Sequence, residues 1–306
     1  MPASSPSFDR YTFERYSSQL LPFLDPSTSP EDHAGLPYVP FAVKDETMEA
    51  NAYYFGQTEW MEGWLAAVHR YPEFRERWHA VAGTWDGKVV VDIGCGPGNL
   101  LKSLGDHPNT VIGVDVAPGS LHMASELGYI PLLADAHALP LRSGFADIVA
   151  LNATLHHCTD MGRVLLEAAR LVKLYGVLVI DHDPQLSAWN YKGLGLAMWK
   201  IRKPIYRWMK RGGHRAEGDE QLWAERTELH HRPGDGITEH MLREPLEHAG
   251  FDVAIYPHNH RVGAGVLKGE MGRAADKLRW GQKLSGIDPD SRAGALSLMC
   301  VAVRRF

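Results

Sequence analysis

Glycines and aspartates that follow short apolar runs form the part of the chain best suited to hold a small ligand. An apolar run over residues 88–93 leads into Gly94, Gly96 and Gly98, which gives the spacing GxGxG. Glycine tolerates positive φ angles and lets a ligand approach the backbone closely, so many nucleotide-binding folds contain such a loop. A dinucleotide-binding loop has the spacing GxGxxG, and Asn99 stands where its last glycine would be. The spacing therefore disfavours NAD.

Three aspartates accompany the glycine loop. Asp92 lies two residues before Gly94, and Asp115 closes a second apolar run, 21 residues after Gly94. A carboxylate at that strand end can accept hydrogen bonds from both hydroxyls of a ribose. Asp135 follows a third apolar run. The pattern indicates a ligand that contains a ribose.

Histidines follow the fourth and fifth apolar runs. His156 and His157 come after the fourth run, and His182 comes after the fifth. Sites in α/β folds form at the carboxyl ends of strands, and histidine titrates near neutral pH. We therefore predict that His157 and His182 are catalytic residues that contact the substrate, and that His156 is a packing or capping residue.

The elements that position these residues alternate between short strands and helices, which predicts βαβ units and a parallel sheet. The predicted strands cover residues 88–93, 110–114, 130–134, 147–151, 177–180, 251–256 and 296–303. The predicted helices cover residues 11–20, 45–82 with an interruption at Pro72, 99–104, 121–127, 161–174 with a stop at Gly176, and 238–249 with Thr238 as the N-cap. The first 40 residues are rich in proline and serine, which predicts a loosely structured arm.

The sequence resembles the class I S-adenosylmethionine-dependent methyltransferases, and within them the small-molecule branch that includes the ubiquinone and menaquinone biosynthesis enzymes. The resemblance covers about residues 88–183, with weaker support at 237–256 and 296–305. Its matching segments are VVVDIGCGPG, VIGVDVAPGSL, LLADAHALPLRSGFADIVALNATLHH and LLEAARLVKLYGVLVIDHD. It implies an α/β fold with a Rossmann-like seven-stranded sheet, a last strand that is antiparallel, an N-terminal helical cap and insertions.

The resemblance also implies which residues contact S-adenosylmethionine. The loop around the methionine part of the cofactor consists of Asp92, Gly94, Cys95, Gly96 and Gly98. The residues at the ribose and adenine are Asp115, Val116, Asp135 and Ala136. The residues that close the pocket after the fourth strand are Asn152 and Leu155.

Polar residues near the strand ends bear on the methyl acceptor. Asn152, Asp181 and Asp183 offer the oxygen ligands that Mg²⁺ prefers, as in catechol-type methyltransferases. That family has an acid after the fourth strand and an Asp-Asn pair after the fifth, which this sequence lacks, so we predict no metal site. His231 and Arg232 lie in a polar loop and are predicted to bind an anionic group of the acceptor.

Residues 184–216 carry eight lysines and arginines and no acidic residue. The aromatic residues between them are Trp189, Tyr191, Trp199, Tyr206 and Trp208. A basic, aromatic-rich amphipathic segment suits an anionic membrane surface, a lipid-like substrate or RNA. A solvated basic face over an apolar lid is the alternative. We predict peripheral membrane contact through residues 192–215 and no stable binding of nucleic acid.

The composition excludes several classes of protein. The 306 residues are 44% hydrophobic with a net charge of −5, which is typical of a globular protein and not of one that coats nucleic acid. The three cysteines, Cys95, Cys158 and Cys300, form no CxxC pair, which indicates a reducing compartment and no thiolate zinc site. Neither a secretory signal nor an apolar stretch of membrane-spanning length is visible, so we expect the protein in the cytoplasm.

We divide the chain into an arm and helical cap (1–82), a cofactor-binding core (83–183), a basic aromatic-rich insertion (184–236) and the rest of the core (237–306, with an insertion at 257–295). The predicted activity is methyl transfer from S-adenosylmethionine to an O, N or C nucleophile of a small lipophilic or natural-product acceptor. One alternative is an RNA- or protein-directed methyltransferase that docks through residues 192–215. Another is a catalytically silent protein that binds the cofactor or a partner. The sequence leaves the oligomeric state open.

Overall fold

The computed structural model describes residues 10–41, 44–67, 71–208, 223–224 and 226–306. For residues 10, 67 and 202–208 it describes the backbone alone.

A mixed sheet of nine strands forms the centre of the described fold, where the sequence analysis predicted seven. The strands are β1 Glu31–His33, β2 Leu36–Tyr38, β3 Val89–Ile93, β4 Thr110–Asp115, β5 Ile130–Leu133, β6 Ala146–Asn152, β7 Val172–Asp181, β8 Phe251–His258 and β9 Ser297–Arg304. Their order in the sheet is β1-β2-β5-β4-β3-β6-β7-β9-β8. β9 runs antiparallel to both β7 and β8, so the predicted antiparallel last strand is confirmed.

The two additional strands, β1 and β2, form a hairpin within the segment predicted to be a loose arm. Ala34 and Gly35 make its turn, with φ angles of 52° and 81°. Positive φ at both turn positions is type I′ geometry, whose twist matches that of paired antiparallel strands. β2 then adds to the sheet beside β5. The predicted arm is therefore wrong for residues 31–38, because Ala-Gly is not a dipeptide that marks such a turn.

Eleven α-helices are described around the sheet. They are α1 Arg10–Leu20, α2 Glu46–Gly56, α3 Thr58–Ala67, α4 Pro72–Ala82, α5 Asn99–Leu104, α6 Pro118–Glu126, α7 Met161–Leu171, α8 Leu186–Trp189, α9 Gly193–Trp208, α10 Glu239–His248 and α11 Asp276–Lys283. Three short 3₁₀ helices span Leu155–His157, Ala264–Lys268 and Arg292–Gly294.

Most predicted helices are confirmed, but several of their boundaries differ; α6, for example, begins at Pro118 and not at residue 121. The predicted helical segment 45–82 is divided at Gln57 as well as at Pro72. Pro72 begins α4, because proline fits the first position of a helix, where its missing N–H is not needed. α7 ends at Leu171 and not at Leu174, since Val172 already pairs with Ala146 in the β6–β7 ladder. The predicted N-cap is confirmed, because the Thr238 hydroxyl accepts a hydrogen bond from the Met241 N–H at 3.1 Å.

Apolar side chains on both faces of the sheet form the core. Val91 and Ile93 of β3 belong to a cluster with residues of α1, α7 and α10. Val90 belongs to a second cluster with residues of α4, α5 and α6. This alternation is expected of a central strand that is covered on both faces.

Helices α2 and α3 pack against α6 and form a cap at one edge of the sheet. The Ser120 hydroxyl of α6 donates to the Phe55 carbonyl of α2 at 2.6 Å. Gly119 lies so close to Gly56 that the two backbones leave no room for a methyl group between them. These contacts fix the position of the cap.

No helix among the described residues has the length and apolar character needed to cross a membrane.

Candidate active site

A cavity of about 580 Å³ lies at the carboxyl ends of the parallel strands, next to the cap helices. On one side it is lined by Gly94 and Gly96 after β3, by Asp115 at the end of β4 and by Asp135 after β5. On the other side it is lined by residues of α2 to α4 and by Ala224, Thr227, Glu228 and His231. Ligands of α/β folds bind at this end of the sheet.

The carboxylate of Asp115, at the end of β4, holds the glycine loop through hydrogen bonds. Its Oδ2 accepts the Gly96 N–H at 2.8 Å, and its Oδ1 accepts the Ala117 N–H at 2.9 Å. Burial raises the pKa of Asp115, although these N–H groups oppose the shift. Gly94 has a φ of 67°, and a methyl group there would lie 2.5 Å from the Thr154 side chain, so the loop needs glycine at this position. Each oxygen of Asp115 keeps lone-pair capacity for a further donor.

Asp92 lies behind the loop and does not line the cavity. Its carboxylate accepts the Tyr129 hydroxyl at 2.7 Å, and that hydroxyl also accepts the Leu101 N–H at 3.3 Å. Burial raises the pKa of Asp92 to about 7, Tyr129 opposes the shift and Asp115 adds to it. Asp92 thus ties β3 to the segment before β5 and supports the loop from beneath.

The predicted site residues divide into two groups. Those that line the cavity are Gly94, Gly96, Asp115, Val116, Asp135, Ala136, Asn152, His157, His182 and His231. Those that lie outside its lining are Asp92, Cys95, Gly98, Leu155 and Arg232. Leu155 is fully buried in the main core cluster, whereas Arg232 is exposed.

The cavity is acidic. Among the described residues that line it, the acids are Asp45, Asp115, Asp135 and Glu228, and none is a lysine or an arginine. Burial opposes ionisation of Asp135, but hydrogen bonds from the His137 N–H and ring outweigh it and lower its pKa. An acidic lining favours a positively charged ligand and disfavours a phosphate group.

Residues of α2, α3 and α8 and of the start of α4 give the cavity an aromatic wall. The aromatic residues that line it are Tyr54, Phe55, Trp64, Tyr71, Phe74 and Trp189. Phe55 meets the His157 ring edge-on with 5.3 Å between ring centroids, and the Asn51 amide donates to the His157 carbonyl at 3.1 Å. Aromatic walls favour ring-bearing apolar ligands.

Two adjacent imidazoles and a carboxylate meet at the end of β6. The His156 Nδ1 lies 2.8 Å from Asp183 Oδ1, and the His157 Nδ1 lies 2.6 Å from the Thr227 carbonyl oxygen. Oxygen atoms of these partners accept hydrogen bonds, so both Nδ1 atoms carry the proton. The His156 Nε2 lies 3.9 Å from Glu228 Oε2.

Burial and neighbouring groups shift the pKa values of this group in different directions. Burial, together with the His156 charge, lowers the pKa of His157 to about 3. Burial also opposes protonation of His156, but the Asp183 hydrogen bond and charge outweigh it and raise the pKa of His156. Burial opposes ionisation of Glu228, but the hydrogen bond from His231 and the histidine charges lower its pKa to about 2. At neutral pH the group holds an ionised carboxylate and a neutral His157.

Asp181, at the end of β7, is the centre of a buried network that joins the cap to the sheet. It accepts the Arg77 guanidinium at 3.1 Å, the Trp78 indole N–H at 2.9 Å and the His258 Nε2 at 2.7 Å. Burial opposes its ionisation, but the charges of Arg77, His182 and His258 hold the pKa of Asp181 well below its usual range.

His182 and His258 flank this carboxylate. His182 lines the cavity, its Nδ1 lies 3.2 Å from Asp181 Oδ2, and its φ of 65° is uncommon for a residue with a side chain. The His258 Nδ1 accepts the His260 N–H at 3.1 Å, so the His258 proton is on Nε2. Burial lowers the pKa of His258 to about 4, although Asp181 opposes the shift.

The basic insertion is described in part. Trp189, Tyr191 and Trp199 contact one another, with ring centroids 5.3 to 6.1 Å apart, and belong to a third apolar cluster. Residues 209–222 and the side chains of residues 202–208 lie outside the described part of the chain. Contact with a membrane or with RNA through residues 192–215 therefore stays a prediction.

Sequence reasoning missed several residues that line the cavity. Asn51, Tyr54 and Phe55 lie in the helical segment predicted over residues 45–82, but no role in the site was predicted for them. His156, predicted to be a packing or capping residue, is buried and hydrogen-bonded to Asp183, and it also lines the cavity. No role was predicted for Glu228, which lines the cavity as well. The adjacent His230 and His231 indicated that the segment around Glu228 is polar. Two of the residues considered as Mg²⁺ ligands accept hydrogen bonds from protein groups. Asp181 accepts from the Arg77 guanidinium, and Asp183 accepts from the His156 N–H.

Comparisons with known proteins show which proteins the chain is similar to. Residues 91–180 match the family model described as a methyltransferase domain. A ubiquinone biosynthesis O-methyltransferase of Erwinia tasmaniensis is 28% identical over 217 residues, which are 66% of this chain and 86% of that protein. A tRNA (carboxymethyluridine(34)-5-O)-methyltransferase of Arabidopsis thaliana is 37% identical over 98 residues, 31% of this chain and 24% of that protein.

Among solved structures, an S-adenosylmethionine-dependent methyltransferase of Thermotoga maritima matches with a TM-score of 0.47 and 19% identity, over 83% of this chain and 99% of that one. The strand order and the matched domain define a class I α/β methyltransferase. This chain is an S-adenosylmethionine-dependent methyltransferase, and it resembles the ubiquinone biosynthesis O-methyltransferases.

Proposed function

We propose that this methyltransferase acts on a hydroxyl oxygen of a small, ring-bearing, largely apolar acceptor. The observation that carries the proposal is the continuity of the cavity, which joins the glycine loop and its strand-end acids to the aromatic wall. The similar proteins named for ubiquinone biosynthesis and for malonyl-[acyl-carrier protein] are O-methyltransferases by name, which supports oxygen as the acceptor atom.

The cavity residues fit S-adenosylmethionine, which carries a sulfonium charge, a ribose and an adenine but no phosphate. The acidic lining complements the sulfonium, and the absence of lysine and arginine among the described lining residues suits a ligand without phosphate. We place the ribose at Asp115 and the methionine part at Gly94 and Gly96. When bound, the cofactor supplies a methyl group on a positively charged sulfur, which is a good leaving group.

The adenine lies, in this proposal, among Val116, Asp135 and Ala136. Asp92, Cys95 and Gly98 shape the loop without lining the cavity. The closing roles of Asn152 and Leu155, and the division of the chain at residues 82, 183 and 236, stay predictions.

The acceptor lies against the aromatic wall, which positions it and excludes water. Methylation of a hydroxyl breaks its O–H bond, and the proton passes to the imidazole of His182. The neighbouring carboxylate of Asp181 stabilises the resulting imidazolium. His157 stays neutral, because its pKa of about 3 is too low to hold the proton.

His231 also lines the cavity and contacts Glu228, while the exposed Arg232 lies outside the lining. An anionic acceptor group would therefore meet Glu228 without a cavity arginine to balance it. A neutral acceptor fits the described lining better than an anionic one.

The test of this function is to incubate the protein with methyl-labelled S-adenosylmethionine and a cell extract, and then to separate the products. We expect the label in organic-extractable small molecules. Label in RNA or in protein would support instead the macromolecule-directed alternative that docks through residues 192–215. No transfer to any fraction, with cofactor binding intact, would support the catalytically silent alternative.

Two matched pairs of variants test the assigned residues. Asp115→Asn should weaken S-adenosylmethionine binding at least tenfold by calorimetry, because the amide cannot accept as two carboxylate oxygens do. Asp252→Asn, at an exposed ion pair, should leave the affinity unchanged. His182→Gln should lower kcat by about 10²-fold or more with the cofactor affinity unchanged, and His79→Gln is its control away from the cavity lining.

A further inference from the structure

His156, His157 and Glu228 form a group of ligand atoms that face the same cavity, and we propose that it binds a divalent transition-metal cation of the zinc type. One ligand atom from each residue lies within 4.8 Å of the other two. All three residues line the cavity. Two imidazoles and one carboxylate are a ligand set that catalytic zinc sites use, with a further position open to water or substrate.

The hydrogen bonds of the two histidines prepare their outer nitrogen atoms for a cation. Asp183 accepts the Nδ1 proton of His156, and the Thr227 carbonyl accepts that of His157. When both rings are neutral, both Nε2 atoms therefore present lone pairs, and a cation that binds must displace a proton from His156, whose pKa Asp183 raises. No hydrogen bond to either Nε2 is found among the described residues. A histidine that binds a metal commonly donates its other ring N–H to a carboxylate or a backbone carbonyl, as both do here.

The electrostatics of the group also favour a cation. One ligand atom from each histidine and from Glu228 lies in one region, and no lysine or arginine among the described lining residues balances the carboxylate. The third histidine of this region, His231, donates its Nδ1 proton to Glu228 at 2.8 Å and so holds the carboxylate in place. A bound cation neutralises the carboxylate and satisfies both lone pairs.

The distances fit a first-row cation after small side-chain movements. Ligands about 2.1 Å from a tetrahedral metal are about 3.4 Å apart. The His156 Nε2 and Glu228 Oε2 are 3.9 Å apart, so each side chain must move by less than about 1 Å. Imidazole ligands favour zinc, cobalt, iron and nickel over magnesium, which prefers oxygen ligands. The proposed site thus differs from an all-oxygen Mg²⁺ site in both residues and metal.

This site deepens the proposed function and, for its role in methyl transfer, rests on it. The open coordination position faces the cavity that the acceptor occupies in that proposal. The acceptor hydroxyl would bind there, which lowers the pKa of that hydroxyl and orients its oxygen. The presence of the metal site itself does not depend on the acceptor.

The test measures metal binding without cofactor or acceptor. The full chain, stripped with a chelator, is titrated with Zn²⁺ by calorimetry, and with Co²⁺ while its visible absorption is recorded. We expect one equivalent to bind, and Mg²⁺ to bind at least a hundredfold more weakly than Zn²⁺. Glu228→Gln and His157→Gln should each weaken Zn²⁺ binding at least tenfold. Asp183→Asn should weaken it about tenfold through the position of His156.

Two controls keep the result interpretable. His240→Gln removes an exposed surface imidazole and should leave Zn²⁺ binding unchanged. S-adenosylmethionine affinity, measured on each variant, reports whether the fold is intact. Stoichiometric Zn²⁺ binding that survives both Glu228→Gln and His157→Gln, or no binding to the wild-type chain, would overturn the metal site. Either result leaves the proposed methyl transfer standing, because that is measured separately by the labelled product.

Discussion

Gly119→Ala should displace α2 from α6 without unfolding the chain. Gly119 is the second residue of α6, where it meets the end of α2. A methyl group at this position would lie 2.8 Å from the Gly56 carbonyl carbon and still closer to its oxygen. Both atoms are backbone, so no side-chain rotation relieves the contact. The Ser120–Phe55 hydrogen bond of 2.6 Å holds the same two helices together and would be strained with it.

The size of the effect follows from this distance. Ordinary carbon–carbon contact is about 3.5–4.0 Å, so α2 and α6 must separate by about 1 Å. Overpacking of this kind costs about 1–3 kcal/mol, which exceeds the gain of up to about 1 kcal/mol from alanine in a helix. Because α2 carries part of the aromatic wall, a displacement of about 1 Å should lower kcat/KM by about 10²-fold.

The assay combines thermal unfolding with steady-state methyl transfer. The matched control is Gly63→Ala in the neighbouring helix α3, where an added methyl group meets no atom within 4 Å. That change should leave kcat/KM unchanged and raise stability by about 0.5–1 kcal/mol. Gly119→Ala with wild-type activity and stability would refute both the backbone contact and the role of the cap in the site.

Three further predictions concern the buried polar networks. Arg77→Met leaves the Asp181 carboxylate buried without its guanidinium partner, so the free energy of unfolding measured in urea should fall by about 3–5 kcal/mol. A loss below about 1 kcal/mol would contradict the Arg77–Asp181 ion pair. The pKa of His258 is about 4 in the folded chain and 6.5 in the unfolded chain, so the free energy of unfolding should fall by about 3 kcal/mol as the pH drops from 6.5 to 4. An equal loss in His258→Asn would show that His258 is not the cause. Tyr129→Phe removes the hydroxyl that donates to Asp92, whose pKa is about 7. The free energy of unfolding should therefore fall by about 1–3 kcal/mol at pH 8, where Asp92 is ionised, and by less at pH 6. The same loss at pH 8 and pH 6 would count against an ionised Asp92.

Several residues that line the cavity near the glycine loop were predicted from the sequence because their signals are local. Gly94, Gly96, Asp115 and Asp135 each follow a strand within a few residues, and strand ends of one parallel sheet meet at one edge. The helix at 99–104 and the N-cap at Thr238 are local too, and both are confirmed.

In the acceptor half, His157, His182 and His231 were predicted and line the cavity, but the residues that they meet were not predicted because those contacts join distant parts of the chain. Asn51 reaches the His157 carbonyl 106 residues away, and Arg77 reaches Asp181 across 104 residues. A helical periodicity indicates which face of a helix is buried, but not which segment covers it. The β1–β2 hairpin was missed for a different reason, since its Ala-Gly turn gives a weak local signal.

The most direct test of the account is a crystal structure of the chain with S-adenosylhomocysteine. The account predicts the ribose at Asp115, the adenine beside Asp135, and the sulfur directed toward an aromatic space bounded by Tyr54 and Phe55 that stays open for an acceptor. A nucleoside bound away from the glycine loop would contradict it. A ligand that fills the space beside the aromatic wall and leaves no room for a second molecule would also contradict it.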